Sequence, residues 1–380
     1  MRTHLPLPAQ PSSREAAALA ALERQAANSP SDPQLQYQLG TARAALGQLD
    51  GARTAFQRLC QLTPTNPPSW VVLGDFELRA GELRGAEQAY RRAVALTPND
   101  ASVLCALAQT LLRRGFAEEA EHLVTAAQRA APHAGRPHFL RAQLVMRSSA
   151  TEVALPELRR AVELEPDYLP PWLMLAAACL ELRRWADVDL ACNGALRVDP
   201  GNSQALAVMA QARVLRGAAG DAAEAETLAM RALKANPRHG GAHYVLGLLA
   251  LRANRVPDAI EHLEAALLAE GTRVDARSNL ARAYRLAGRT TEAEQQLKLV
   301  AQQTRYRQTV EELVMRAHQS PRDPRIHQQL AELYASVGGR EKAISEYEKT
   351  VALEPGNQAA RTALDRLRSE AEPGHASAGG

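Results

Sequence analysis

The hydrophobic pattern of the chain repeats with a period of 34. Pro64, Pro98, Pro132, Pro166 and Pro200 each lie 34 residues after the last, and Pro237 and Pro355 continue the series after insertions of three and sixteen residues. Realigned across those insertions, nine units begin at residues 33, 67, 101, 135, 169, 203, 240, 274 and 324. Position 7 of the unit is Leu in seven of the nine, position 8 is always Gly or Ala, position 20 is Ala in all but one, where Val188 stands, and position 32 is Pro in seven. A fixed period of this length marks a repeat architecture, in which each unit buries its apolar face against its neighbours.

The pattern predicts two short antiparallel helices per unit. A residue without a bulky side chain at position 8 of the first helix is expected to face Ala at position 20 of the second, so that the backbones approach closely. Larger groups at positions 4 and 24, such as Trp70, Tyr90 and Phe56, would close the ends of that seam. Proline at position 32 ends the second helix, because it lacks the N–H that the helix needs and restricts the residue before it. Turns such as Pro98-Asn99-Asp100 and Pro355-Gly356-Asn357 are expected to cap the next helix.

Departures from the pattern mark irregular places. Arg141 stands where position 7 calls for Leu, and Gly217 to Gly220 hold the insertion of the sixth unit as a longer turn. The eighth unit has Arg305 in place of the position-32 proline, and Val310, Leu313, Val314 and Ala317 follow at helical spacing. Either its second helix runs on to about Gln319 or an unpaired helix intervenes. The Ala-rich start, interrupted by Arg14, Glu15, Glu23 and Arg24, reads as an amphipathic capping helix, and Ala363, Leu364 and Leu367 mark one at the other end, as solenoid termini require. The expected organisation is a disordered 1–13, a capping helix over 14–32, repeats one to eight over 33–307, an extra or extended helix over 308–323, repeat nine over 324–357, a capping helix over 358–371 and a disordered tail over 372–380.

Trp70, Leu73, Gly74, Ala86, Tyr90, Ala93 and Pro98 of the second unit resemble the tetratricopeptide repeat family almost position for position. The resemblance spans Pro33 to Asn357. It implies an all-α fold: a right-handed solenoid of about nine helix-turn-helix repeats whose concave groove is lined by the first helix of each, chiefly at positions 2, 5, 9, 12 and 13. Position 13 supplies Arg79, Arg113, Arg147 and Arg252, and position 5 supplies Tyr37, Val71, Phe139, Leu173 and Tyr244. Arg136, Arg282, Arg285 and Arg325 add to the basic side, against the acids Asp75, Glu181, Asp275 and Glu332. A net basic groove suits an acidic, partly apolar peptide segment, since the planar guanidinium holds a carboxylate with two hydrogen bonds and stacks on aromatic rings. Two sharper family functions do not fit: the chaperone-tail clamp needs Lys at position 5 and Asn at position 9, and the asparagine ladder of O-linked N-acetylglucosamine transferase needs Asn along position 6, where only Asn279 stands.

Composition narrows the function further. The 41 arginines and four lysines are nearly balanced by acids, leaving a net charge of +3, which is too small a bias to argue for nucleic acid or membrane binding. The segments outside the repeats are shorter than the roughly 50 residues of the smallest ordinary domain, so no separate catalytic domain is expected and the chain reads as non-catalytic. No phosphate-binding, dinucleotide, zinc-protease or nucleophile-elbow motif occurs, and no catalytic residue, cofactor or metal is assigned. The best metal pair, His239 and His243, is interrupted by Gly240 and Gly241 and reads as a turn and an interior histidine. Cys179 and Cys192, opposite one another in the fifth unit, read as core thiols rather than a redox pair.

The expectation is therefore a scaffold for one or more protein partners whose identity, like the oligomeric state, the pattern does not encode. The alternatives are a recruiting or assembly subunit of an envelope machine or enzyme complex, and, more weakly, a groove for RNA or another anionic polymer along the arginines. With no apolar run long enough for a membrane span and no secretory leader, the expected compartment is the cytoplasm, or the periplasm if the N-terminus has been truncated.

Overall fold

In the computed structural model of the protein, residues 13–147, 151–271 and 273–369 are described. The expected disordered ends, 1–13 and 372–380, lie outside these residues except for Ser13, which begins the first helix. Among the described residues there are twenty helices and no strand. The chain forms two compact units, Met1–Leu144 and Val145–Gly380.

The first unit holds α1 (Ser13–Asn28), α2 (Pro33–Ala45), α3 (Leu49–Leu62), α4 (Pro67–Ala80), α5 (Leu83–Leu96), α6 (Ala101–Arg114), α7 (Ala117–Ala130) and most of α8 (Gly135–Met146). Here α1 lays Leu19 and Ala26 on Leu39 and Ala55 of the first repeat. The second unit holds α9 (Thr151–Leu164), α10 (Leu169–Glu181), α11 (Trp185–Val198), α12 (Ser203–Arg216), α13 (Asp221–Ala235), α14 (Gly240–Arg252) and α15 (Val256–Ala269). It continues with α16 (Val274–Leu286), α17 (Thr290–Gln319), α18 (Pro324–Ser336), α19 (Arg340–Leu353) and α20 (Gln358–Ser369). The second helix of the eighth repeat is α17, a single helix of 30 residues, whose far end seats Leu313 against Ile326 and Leu330 of α18. At the C-terminal end α20 packs Ala360, Leu364 and Leu367 on Tyr347, and Arg340 Nε donates to the carbonyl of Leu367 at 2.7 Å, satisfying an orphan acceptor of that helix end.

Position 20 is fully buried in every repeat, from Ala52 to Ala343, including Val188. The small residue at position 8, however, faces position 24 rather than position 20. A Cβ on Gly40 would stand 2.6 Å from the Phe56 ring, one on Gly74 2.6 Å from the Tyr90 ring, and one on Gly247 2.7 Å from Leu263. The glycine therefore makes room for a large side chain on the opposite helix, and in the third repeat, where position 24 is Val124, Ala108 fills the same place.

Position 4 has a role beyond its bulk. Trp70 Nε1 donates to the Pro64 carbonyl at 2.9 Å, Trp172 Nε1 to Pro166 at 2.8 Å, His243 Nε2 to Pro237 at 3.1 Å and His327 Nε2 to Pro321 at 3.1 Å. Gln36 reaches Pro30 at 3.4 Å and Arg277 reaches Gly271 at 2.7 Å in the same way. Six side chains of four chemical types thus satisfy the carbonyl six residues back, in the turn where the preceding helix has ended and its last acceptors have no helical partner. Side-chain caps complete the turns: Asp32, Asp100, Asn202 and Asp323 accept backbone N–H groups of the helices that follow.

The turn inside eight of the repeats, all but the fourth, whose turn lies outside the described residues, shares one backbone feature. Position 15 takes a left-handed backbone at Gly47, Gly81, Gly115, Gly217, Gly288 and Gly338, and also at Arg183 (φ 55°) and Asn254 (φ 56°). A side chain is strained there, so Arg183→Gly is expected to stabilise the second unit by about 0.5–1 kcal/mol, read as a higher urea midpoint. An unchanged or lower midpoint would show that the Arg183 side chain offsets the strain.

Ion pairs from position 21 tie four of the repeats to the next: Arg53 to Glu77 at 2.8 Å, Glu87 to Arg114, Glu121 to Arg141 at 2.8 Å and Asp189 to Arg213 at 2.8 Å. Arg141 is accounted for by this rail. Its guanidinium leaves the core to meet Glu121, Thr125 and Gln128, so the missing Leu is replaced by a half-buried polar contact to the third repeat.

Candidate functional site

The first helices of the repeats carry the candidate residues, and burial divides them. In the first unit Tyr37, Asp75, Arg79, Arg113 and Arg136 are exposed. The Tyr37 ring lies 6.5 Å from that of Phe56 at a tilt of 55°, and Phe56 in turn meets Phe76 at 5.2 Å between ring centres. Phe139, expected in the groove, is only 4% exposed and belongs to the core. In the second unit Arg147, Arg252, Arg282, Arg285 and Arg325 are exposed. Tyr244, also expected in the groove, is only 7% exposed. The Arg273 guanidinium lies 4.1 Å from its ring centre, and burial together with the nearby Asp275 carboxylate pushes its phenol up to about 12. Both aromatic rings were placed on the open face by position 5 alone. At both places that position is buried rather than open.

The charged residues differ in what they already hold. Asp75 accepts the Tyr90 hydroxyl at 2.5 Å, Glu181 accepts Thr151 Oγ1 at 3.2 Å, Asp275 is paired with Arg273 at 3.1 Å and Glu332 accepts Gln328 Nε2 at 2.8 Å. All four acids at groove positions are therefore engaged within the chain. Two of the arginines are engaged as well: Arg252 donates to the Val214 carbonyl at the end of α12, and Arg325 pairs with Asp323 at 3.3 Å. Among the described residues, Arg79 and Arg113 in the first unit and Arg282 and Arg285 in the second have no carboxylate partner. They leave exposed guanidinium groups whose donors are available to a ligand.

The cysteines and the sequence-level metal pair take structural places. Cys179 and Cys192 are fully buried free thiols, pushed up to about 11 and about 12 by burial, and so are not nucleophilic. His239 caps α14 by accepting the Ala242 N–H, while His243 turns to His262. Among the described residues no three His, Cys, Asp or Glu side chains form a metal-binding group, and no helix is long and apolar enough to cross a membrane.

Residues 37–139 match the Cilia and flagella-associated protein 70 middle TPR-like domain, and residues 209–272 and 250–310 each match the tetratricopeptide repeat family. The chain is a tetratricopeptide-repeat protein. Its fold is the all-α, helix-turn-helix repeat fold of that family, and such repeats are in general protein-interaction scaffolds. No curated protein sequence matches this tetratricopeptide-repeat chain. Among solved structures it is similar to the human IFIT1 dimer with m7Gppp-AAAA, at 17% identity over 95% of this chain and 86% of that one, with a TM-score of 0.48. It is also similar to the APC/C hetero-tetramer Cut9-Hcn1, at 12% identity over 93% of each chain and a TM-score of 0.42. YrrB, a TPR protein with an unusual peptide-binding site, is 18% identical over 53% of this chain and 98% of its own, with a TM-score of 0.38.

Proposed function

We infer that this tetratricopeptide-repeat protein is a non-catalytic scaffold that binds an extended, acidic and partly apolar peptide segment on the first helices of the repeats within a unit. The observation that carries this reading is the imbalance of partners on those helices in each unit. Their acids are hydrogen-bonded or paired within the chain, whereas Arg79, Arg113, Arg282 and Arg285 are exposed and have no carboxylate partner among the described residues. Arginines left over in this way recognise carboxylates in two-point contacts, and the exposed Tyr37 adds an apolar surface on the first helices of the first unit.

The test is selection from a library of extended peptides, followed by affinity measurement for the enriched sequences. Wild type is expected to enrich peptides with acidic and apolar residues. Arg79→Glu/Arg113→Glu in the first unit or Arg282→Glu/Arg285→Glu in the second is expected to weaken them by about tenfold or more, with unchanged helicity, because these side chains are solvent-exposed. Equal affinity in both double variants would remove the arginines from the function. Binding of single-stranded RNA of any sequence, falling steeply with salt, would replace the peptide by a polyanion.

A further inference from the structure

We propose that the uncovered shelf of the eighth repeat, Leu297 and Val300 on α17, is a docking site for a single amphipathic α-helix of a partner protein, which takes the place that the next first helix takes elsewhere in the chain. Positions 24 and 27 of a repeat form the shelf on which its successor rests. In the seventh repeat these are Leu263 and Ala266, fully buried in one cluster with Ala276, Leu280 and Ala283 of α16. Those three stand at positions 3, 7 and 10, a stripe along one face of the helix. The same two shelf positions are buried in the other repeats, from Phe56 and Leu59 of the first to Tyr347 and Thr350 of the ninth, where α20 does the covering. Of the nine repeats, the eighth alone leaves both partly exposed.

The insertion in α17 explains the exposure. The stripe of α18 at positions 3, 7 and 10, Ile326, Leu330 and Leu333, rests on Leu313, Val314 and Ala317 at the far end of α17. Leu313 follows Leu297 by sixteen residues, the length of the insertion. Along a helix that separation is roughly 24 Å, and it turns the side chain by roughly 160°. The helix α18 therefore seats beyond the shelf and on nearly the opposite side of α17. Between Ala293, which α16 covers, and Leu313, no residue of α17 is fully buried.

The helices that cover the other shelves define what fits this one, and two charges refine it. Arg53 and Asp189 at position 21 meet Glu77 and Arg213, both at position 11 of the first helix that follows. Glu294 holds position 21 of the eighth repeat, is exposed, and has no partner among the described residues. It calls for a basic residue on the incoming helix. Position 12 is apolar in every other repeat, and Val214 and Leu251 there are buried. In the eighth repeat it is Arg285, exposed and without a carboxylate partner among the described residues. It calls for an acid. The occupant is thus a helix with a small or leucine stripe at i, i+4 and i+7, flanked by one residue of each sign.

Leu297, Val300 and Glu294 stand at none of the groove positions, so the shelf is independent of the groove reading. A displayed library of constrained helices as long as α16, with Ala, Leu and Ala fixed at the spacing of Ala276, Leu280 and Ala283 and the other positions varied, is selected on the full chain. Enriched helices are expected to carry Arg or Lys directly after the second fixed Ala and to bind one to one. Val300→Arg and Glu294→Arg are each expected to weaken them by about tenfold or more with unchanged helicity. A helix with Glu in place of that base should prefer Glu294→Arg to wild type, and Arg79→Glu/Arg113→Glu should leave binding unchanged. No enrichment, or helices that bind both shelf variants as tightly as wild type, overturns the site. Helices released by Arg79→Glu/Arg113→Glu belong to the groove and overturn it equally. Sedimentation that shows a wild-type dimer and a Val300→Arg monomer would give the shelf to a second copy of this chain instead of a partner. Should Val300→Arg fail to fold, the charge reversal at the exposed Glu294 decides.

Discussion

Tyr90→Ala is expected to cost about 3–5 kcal/mol and to bring forward the urea unfolding of the first unit, because it empties the most enclosed aromatic site in the molecule. Tyr90 is fully buried, its ring lies over Gly74 where no side chain intervenes, and its hydroxyl donates to Asp75 at 2.5 Å. That hydrogen bond anchors the ring, so it has little room to move aside. Gly74→Ala therefore attacks the same contact from the other side, with a Cβ 2.6 Å from the ring, and is expected to cost about 1–3 kcal/mol. Combining Gly74→Ala with Tyr90→Val recreates the Ala108 and Val124 pair of the third repeat, and the double variant should be more stable than Tyr90→Ala. If Gly74→Ala melts like wild type, the position 8 to position 24 contact does not limit the packing of these repeats. The ninth repeat bounds the size of that effect, since it packs Ala331 in one cluster with Tyr347.

The second large effect concerns the joint between the first and second repeats. Glu77 is almost wholly buried and is held by Arg53 through contacts of 2.8, 3.1 and 3.2 Å, a bidentate pair that also holds the guanidinium in its charged form. Arg53→Met leaves a buried carboxylate without its counter-charge and is expected to cost about 2–4 kcal/mol near neutral pH. Arg53→Met/Glu77→Leu removes both charges and should recover most of the loss. Equal destabilisation by the single and double variants would mean that packing of the arginine stem, not the charge, joins these repeats.

Much of the molecule was legible before any coordinates because the repeat is a packing rule. A 34-residue period with small residues at two positions and proline at a third dictates paired helices, since only helices bring positions 8, 20 and 24 to one seam and only a broken hydrogen-bond series follows proline. The insertion at Gly217 to Gly220 and the capping helices were read from the same rule. The partner of position 8 was misread, because spacing shows that a small residue is needed but not which side chain fills the room.

Tertiary structure decided what the period leaves free. Phe139 and Tyr244 share a repeat position with the exposed Tyr37, yet they are buried, because burial is set by what the neighbouring helices lay over a position and not by the position itself. His243 and His327 share a repeat position and each reaches the carbonyl six residues back, yet they face an imidazole and a carboxylate respectively. The sequence by itself determined the helices, their pairing and the repeat count, because those follow from near-neighbour contacts repeated along the chain. The acceptor that engages Arg252 lies 38 residues away and the side chains that face His243 and His327 lie 19 residues away, and only the packed repeats bring them within hydrogen-bond reach.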